Sequence, residues 1–389
     1  MVRGAGVIGA GGAGGAGGLR RTGRSETTGM TGRGEGGAGA GRLAGVLAAA
    51  VPDVCSAAVA LIAVGGTTVA AGAVGELVRY AGPSGALAAR RPPVRPDSIF
   101  DLASLTKLFT TVVVLSLAEE GRLGLDEPVT TWLPAGPAEV TPRHLLTHTA
   151  GLPASRRAHE EIPGDGQEVH AARMARVVST PPSRPPGGAH LYSDVGMIVM
   201  GRVAEAAGGA PLDELLRARV TGPLGLRDTG YRPARPLLPR IAATEYRPER
   251  PGPGCVRGEV HDETAHGLGG VAGHAGVFST AGDVLRFAEA LRRGGAPILR
   301  PETVAEMTRD QGAEGAAFGQ GLGVRVDDPA LGPPAGGYGH SGFTGTSVVV
   351  VPGRRLTFVL LTNNVHPLRG RPGIRDLRHA VADEALRLS

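Results

Sequence analysis

Phe100-Asp101-Leu102-Ala103-Ser104-Leu105-Thr106-Lys107 runs straight into an apolar stretch centred on Val112-Val113-Val114-Leu115. Drawn as a helix from Ser104 to Glu120, the segment carries apolar residues around most of its circumference, which predicts a helix buried on nearly all sides. On such a helix positions i and i+3 share a face, so Ser104 Oγ and Lys107 Nζ come within hydrogen-bond reach. The chain holds 41 Lys+Arg residues, and Lys107 is the single lysine among 40 arginines. A base-composition bias toward Ala, Gly, Arg and Pro explains the missing lysines, but not why the remaining one stands three residues after a serine. An arginine stays protonated at any working pH, whereas a lysine can give up its proton. The neighbours Leu108 and Phe109 make no polar face for Lys107. An amine desolvated there, near the positive end of a helix, is expected to have a lowered pKa and to activate the serine as a nucleophile.

Working outward, Ala57 to Val64 and Thr68 to Val74 are apolar, β-branched runs joined by Gly65-Gly66, which reads as a hairpin. Glu76 to Tyr80 is a candidate third strand, and Arg42 to Ala50 a short helix broken near Pro52. Strand texture returns late in Gly321 to Val326, Thr346 to Val351 and Leu356 to Thr362, before an amphipathic helix over Asp376 to Leu388. Between lie helical pieces, clearest at Met197 to Ala207 and Leu212 to Val220, with Pro/Gly-rich loops. The fold class is therefore α/β (α+β). One antiparallel sheet is built from N- and C-terminal segments and flanked by helices, with an all-helical lobe over about residues 126–262 inserted. Residues 1–41 read as a low-complexity Gly/Ala/Arg tail and 42–389 as the folded domain. Gly4-Ala5-Gly6-Val7-Ile8-Gly9 matches G-x-G-x-x-G, but no strand precedes it, so it is not read as a nucleotide site.

Two further segments carry chemistry. Tyr192-Ser193-Asp194 follows the turn-rich Pro185-Pro186-Gly187-Gly188; a loop tyrosine is either a proton relay or simple packing. Gly339-His340-Ser341-Gly342-Phe343-Thr344-Gly345-Thr346 precedes a strand, with His340 as a hydrogen-bond donor and the Phe343 amide facing an oxyanion. These three pieces, in this order, resemble the serine β-lactamase and penicillin-binding-protein-like superfamily, in the branch with class C β-lactamases, D-aminopeptidases, DD-carboxypeptidases and family VIII-type esterases. Thr147-His148-Thr149-Ala150-Gly151-Leu152-Pro153 and Gly273-His274-Ala275-Gly276-Val277-Phe278-Ser279-Thr280 add to the likeness, which runs from about Ala57 to the C-terminus.

The resemblance implies that Ser104 is the acylated nucleophile, Lys107 its base or base partner, and Tyr192 the tyrosine that shares proton transfer. His340 stands where relatives carry the lysine of a K-T-G-type element. The amides of Ser104 and Phe343 are the implied oxyanion hole, with Gly342 beside them. Asp194 replaces the Asn of class C β-lactamases; a carboxylate facing Lys107 favours its ammonium form. The implied enzyme is a serine hydrolase acting through an acyl-serine on small esters, amides or D-amino-acid peptides. A true β-lactamase, or a penicillin-binding protein that forms an adduct without turnover, is the alternative.

Composition narrows the partners. The net charge is +5, but Arg3, Arg20, Arg21, Arg24, Arg33 and Arg42 against Glu26 and Glu35 place most of it before residue 43. A nearly neutral body excludes a nucleic-acid-binding surface. Cys55 and Cys255 are too few and too distant for a disulfide framework or metal knuckle and read as buried free thiols. No run of about 20 apolar residues predicts a membrane span. The N-terminal stretch lacks a continuous apolar segment, so a cytoplasmic location is expected. His261, Asp262, Glu263, His266 and His274 do not fit a helical metal-ligand spacing and read as a loop lining the pocket; no metal or cofactor is expected. His148 reads as a satisfied core histidine.

Overall fold

The computed structural model describes residues 35–250, 254–332 and 336–389. The sequence's Gly4–Gly9 motif and most of the expected tail lie outside these. Within them, a helix begins at Glu35 and runs to Ala50, so ordered structure starts ahead of Arg42. Its Leu43 and Leu47 are buried against the sheet, which explains why a short Ala-rich segment holds helical form.

Seven antiparallel strands form the main sheet. The N-terminal hairpin is β1 (Ala57–Val64) and β2 (Thr67–Gly75). It joins the C-terminal strands through β10 (Leu356–Thr362), with Ala58 opposite Thr362 and Val64 opposite Leu356. Beyond β10 lie β9 (Ser347–Val351), β8 (Tyr338–Ser341), β7 (Arg325–Val326) and β6 (Gly319–Gln320). Side chains alternate between faces with period two. Leu356, Phe358 and Leu360 of β10 pack with the Glu35–Ala50 and Ile374–Arg387 helices. Val359 and Leu361 face the core that contains Phe109 and Phe287. A sheet with layers on both faces needs mostly apolar residues along its strands, and β9 and β10 are buried at every position and mostly apolar.

Two expected strands differ. Glu76 and Tyr80 make only isolated bridges to Pro93 and Leu87, because Pro92 and Pro93 interrupt the partner ladder. Gly321 to Val326 is a tight hairpin turn ending in β7 rather than one strand; a Cβ at Gly321 would lie 2.4 Å from the Met307 carbonyl.

A second sheet, unrecognised in the sequence, orders β3 (Ile99–Asp101), β5 (Val277–Thr280) and β4 (Gly230–Tyr231) as β3-β5-β4. β4 falls inside the stretch expected to be helical. β3 delivers the chain to Ser104: a 3-10 turn over Ala103–Leu105 leads into the helix Thr106–Glu119, buried from Thr106 to Leu117. The helix Asp194–Gly208 packs beside it. Cys55 is buried and Cys255 half-buried, both free, and burial pushes their thiols up to about 12 and about 11. Among the described residues no helix is long and apolar enough to cross a membrane.

Candidate active site

Ser104 sits on a strained turn. Ala103 has φ of 47°, a left-handed conformation that costs a non-glycine residue of order 1–3 kcal/mol and persists only where the surroundings enforce it. Asp101 is the enforcing group. One carboxylate oxygen accepts the Ala103 N–H at 2.8 Å and the other the His261 N–H at 2.7 Å. Burial raises its pKa, and those two amides act against the rise. The Leu105 amide donates to Leu102, which leaves the Ser104 N–H at the open start of the 3-10 turn.

Two threonines sew the loop after β8 onto this turn. Thr344 Oγ1 donates to the Asp101 carbonyl at 2.8 Å and Thr346 Oγ1 to the Leu102 carbonyl at 3.0 Å. Gly342 is what lets the backbones meet: a Cβ there would lie 2.2 Å from Thr346 Oγ1 and 2.5 Å from the Leu102 carbonyl oxygen. The next residue, Phe343, has an amide with no protein acceptor among the described residues and is itself 58% exposed at the cavity mouth. Ser104 and Phe343 thus present two free N–H groups from stitched segments, the arrangement that can hold an oxyanion.

Lys107 is fully buried, and its Nζ donates to Ser104 Oγ at 2.9 Å and to the His274 carbonyl at 3.2 Å. Asp194 Oδ1 lies 2.8 Å away as an ion pair, off the hydrogen-bond direction. Burial disfavours the ammonium, but Asp194 and Tyr192 outweigh it, and the pKa is raised. This corrects the lowering expected from desolvation and the helix end: an adjacent carboxylate is the stronger influence.

Tyr192-Ser193-Asp194 is positioned by helix capping and by His148. Ser193 Oγ accepts the Gly196 N–H, and the Ser193 N–H donates to His148 Nδ1 at 3.2 Å. The His148 ring lies against Tyr192 with centroids 4.6 Å apart and planes tilted by 39°. Burial, then Lys107, hold His148 well below the usual histidine range, so it is the neutral acceptor this bond requires. Lys107 Nζ lies 4.9 Å and the Arg325 guanidinium carbon 5.2 Å from the Tyr192 ring centroid.

His340 differs from expectation. Its Nδ1 donates to the Ser341 carbonyl at 2.7 Å, and burial, Arg325 and Lys107 hold its pKa far down. The ring is therefore neutral with Nε2 bare: it offers an acceptor rather than a donor. It is also buried, with Ser341 forming the cavity wall at this point.

Ser104 and Tyr192 open on a cavity of about 550 Å³, walled further by Gly342, Phe343 and the guanidinium-bearing Arg325, Arg369, Arg371 and Arg378. A larger cleft of about 800 Å³ lies on the Asp194 side and includes Asp262 and His274; Arg369 borders both. Of the loop histidines, His261 pairs with Glu245 at 2.8 Å and His274 with Asp262 at 2.9 Å. Arg325 and the two threonines carried no local sequence signal, since each acts on a residue far along the chain.

A cavity-facing serine on a buried lysine, a tyrosine across the cavity and two free amides define the class of active-site serine hydrolases that work through an acyl-serine. The Beta-lactamase family matches residues 48–383, and the chain belongs to that family. An Escherichia coli K12 relative named as a D-alanyl-D-alanine carboxypeptidase is 32% identical over 305 residues, covering 69% of this chain and 70% of that one. The solved structure of EstCE1, described as a hydrolase with promiscuous acyltransferase activity, superposes with TM-score 0.71 at 26% identity, over 90% of this chain and 99% of that one. A penicillin-binding protein homologue from Caulobacter crescentus shares the fold, with TM-score 0.68 at 21% identity over 89% and 97% of the two chains.

Proposed function

We propose that the enzyme removes the C-terminal residue of small D-amino-acid peptides by acyl transfer to Ser104. Ser104 Oγ attacks the carbonyl carbon, the Ser104 and Phe343 amides hold the oxyanion, and the C–N bond breaks. Lys107 takes the serine proton and Tyr192 relays one to the leaving amine; water then releases the acyl group. Because Asp194 favours the ammonium form, Lys107 must first give up a proton, which places more of the relay on Tyr192.

The observation that carries the peptide reading is the charge of the Ser104 cavity. Among the described residues four arginines line it and no carboxylate does. Arg369 is engaged by Glu245 and Glu263, and Arg325 by Asp328. Among the described residues Arg378 has no carboxylate against it; it donates to the Gly342 and Thr346 carbonyls, with its Nε buried and unpartnered. Burial, then Arg325, bring its pKa down to about 10, still a cation at neutral pH. A leaving residue with a free carboxylate complements this wall, and the E. coli relative's name supports the same substrate.

The test is a panel of an acyl-D-Ala-D-Ala peptide, its C-terminal amide, a p-nitrophenyl ester and a chromogenic cephalosporin, run with wild type and Ser104→Ala. The free-acid peptide is expected to beat its amide by about tenfold or more in kcat/KM, the worth of one charge-assisted hydrogen bond. Equal cleavage of acid and amide, with the ester far faster, favours the esterase reading that the likeness to EstCE1 also supports.

A further inference from the structure

Residues 273–276 are clamped between the two helices that carry Lys107 and Asp194. The Gly273 carbonyl accepts Thr110 Oγ1 at 2.8 Å and the His274 carbonyl accepts Lys107 Nζ at 3.2 Å, one turn apart on the same helix. On the other side Gly273 crosses the Asp194–Gly208 helix so closely that a Cβ would lie 2.0 Å from the Met197 carbonyl oxygen. The His274 side chain is buried, and its Nε2 lies 2.9 Å from Asp262 Oδ1. Despite burial, the charge and hydrogen bond of His274, then the Ala265 amide and the Lys107 charge, hold the Asp262 carboxyl far below the usual range. An ionised carboxylate only accepts, so Nε2 carries the proton and donates.

The amine geometry gives this pair a purpose. Once Lys107 has lost a proton, its nitrogen has two N–H bonds and one lone pair at tetrahedral angles. The His274 carbonyl accepts one hydrogen and the Asp194 carboxylate draws the other by charge, which leaves the lone pair directed at Ser104 Oγ. If the carbonyl moves, the amine can rotate and the lone pair loses its target. We infer that His274, anchored by Asp262, is a positioning residue that aims the Lys107 amine at Ser104. This rests on Ser104 and Lys107 as nucleophile and base, and not on the peptide substrate.

Lys107 is faced by Ser104, by Tyr192 and Asp194 from the 192–194 segment, and by His274 and Asp262 from the opposite side, with His148 and His340 farther off. The test measures acylation by p-nitrophenyl acetate in the full chain, with folding followed by circular dichroism. His274→Ala and Asp262→Ala are expected to lower kcat by about ten- to a hundredfold with KM nearly unchanged, the cost of a misaimed reacting atom. His274→Gln, whose amide can donate to Asp262, is expected to recover most of the loss. Asp262→Asn keeps the shape and removes a charge that favours ammonium, so the acid limb of the kcat/KM profile moves to lower pH. The double His274→Ala/Asp262→Ala variant is expected to be no slower than the slower single variant. Folded variants with wild-type kcat, a Gln variant as slow as Ala, an unmoved acid limb or additive losses each overturn the inference. Lys107→Ala with wild-type acylation instead overturns the base assignment beneath it.

Discussion

The residue that sets the chemistry of this site is Asp194. A lysine with no exposed surface would ordinarily shed its charge, yet the carboxylate at 2.8 Å outweighs burial and raises the Lys107 pKa. A general base works only when deprotonated, so the acylation rate should rise with pH on the way to that raised pKa. Asp194→Asn removes the largest influence against burial and leaves Tyr192 alone to oppose it; the Lys107 pKa falls and the acid limb of the kcat/KM profile moves to lower pH. A pH–rate profile with a reporter ester checks this, and an unmoved limb would show that Asp194 does not govern the amine. The Ser104–Lys107 relation was legible in the sequence because it is local, three residues on one helix face. The direction of the Lys107 shift was legible only in part: desolvation suggested lowering, and Asp194, 87 residues on, had to be brought beside it.

At the scale of elements, the site depends on how the loop after β8 meets the turn after β3. Thr344 and Thr346 reach across sequence separations of 243 and 244 residues to the Asp101 and Leu102 carbonyls. Nothing in the local pattern marks such partners, whereas the glycines at 339, 342 and 345 do announce a close approach. Gly342→Ala is expected to push the Phe343 amide off its position, since the clash includes the Leu102 backbone oxygen, which cannot swing away. Overpacking of this kind costs about 1–3 kcal/mol of stability. Displacing one oxyanion donor lowers kcat by about 10²–10³. Thermal unfolding and steady-state kinetics on the variant check both; wild-type kcat would mean that Phe343 is not a donor. His340 shows the opposite limit of the sequence. Its place in the motif was readable, but its tautomer is set by a bond to its neighbour's carbonyl, and the ring accepts where a donor was expected.

At the scale of the whole molecule, the large sheet joins β1 to β10 from opposite ends of the chain, and the small sheet joins β3 to β5 across more than half of the domain. The hairpin, the buried helix and the late strands were legible from period-two and all-round apolar patterns. The small sheet was not, because strands of two to four residues lack room for a pattern. The consequence is that the active site exists only in the folded chain: Ser104, Tyr192, Phe343 and the His274 carbonyl come from four separated segments. The most direct measurement of this account is labelling with a serine-reactive fluorophosphonate, followed by peptide mass mapping, in native buffer and in denaturing urea. One adduct is expected, on Ser104, formed in native buffer, absent in urea and absent in Ser104→Ala. An adduct on another serine, or equal labelling of Ser104→Ala, would contradict it.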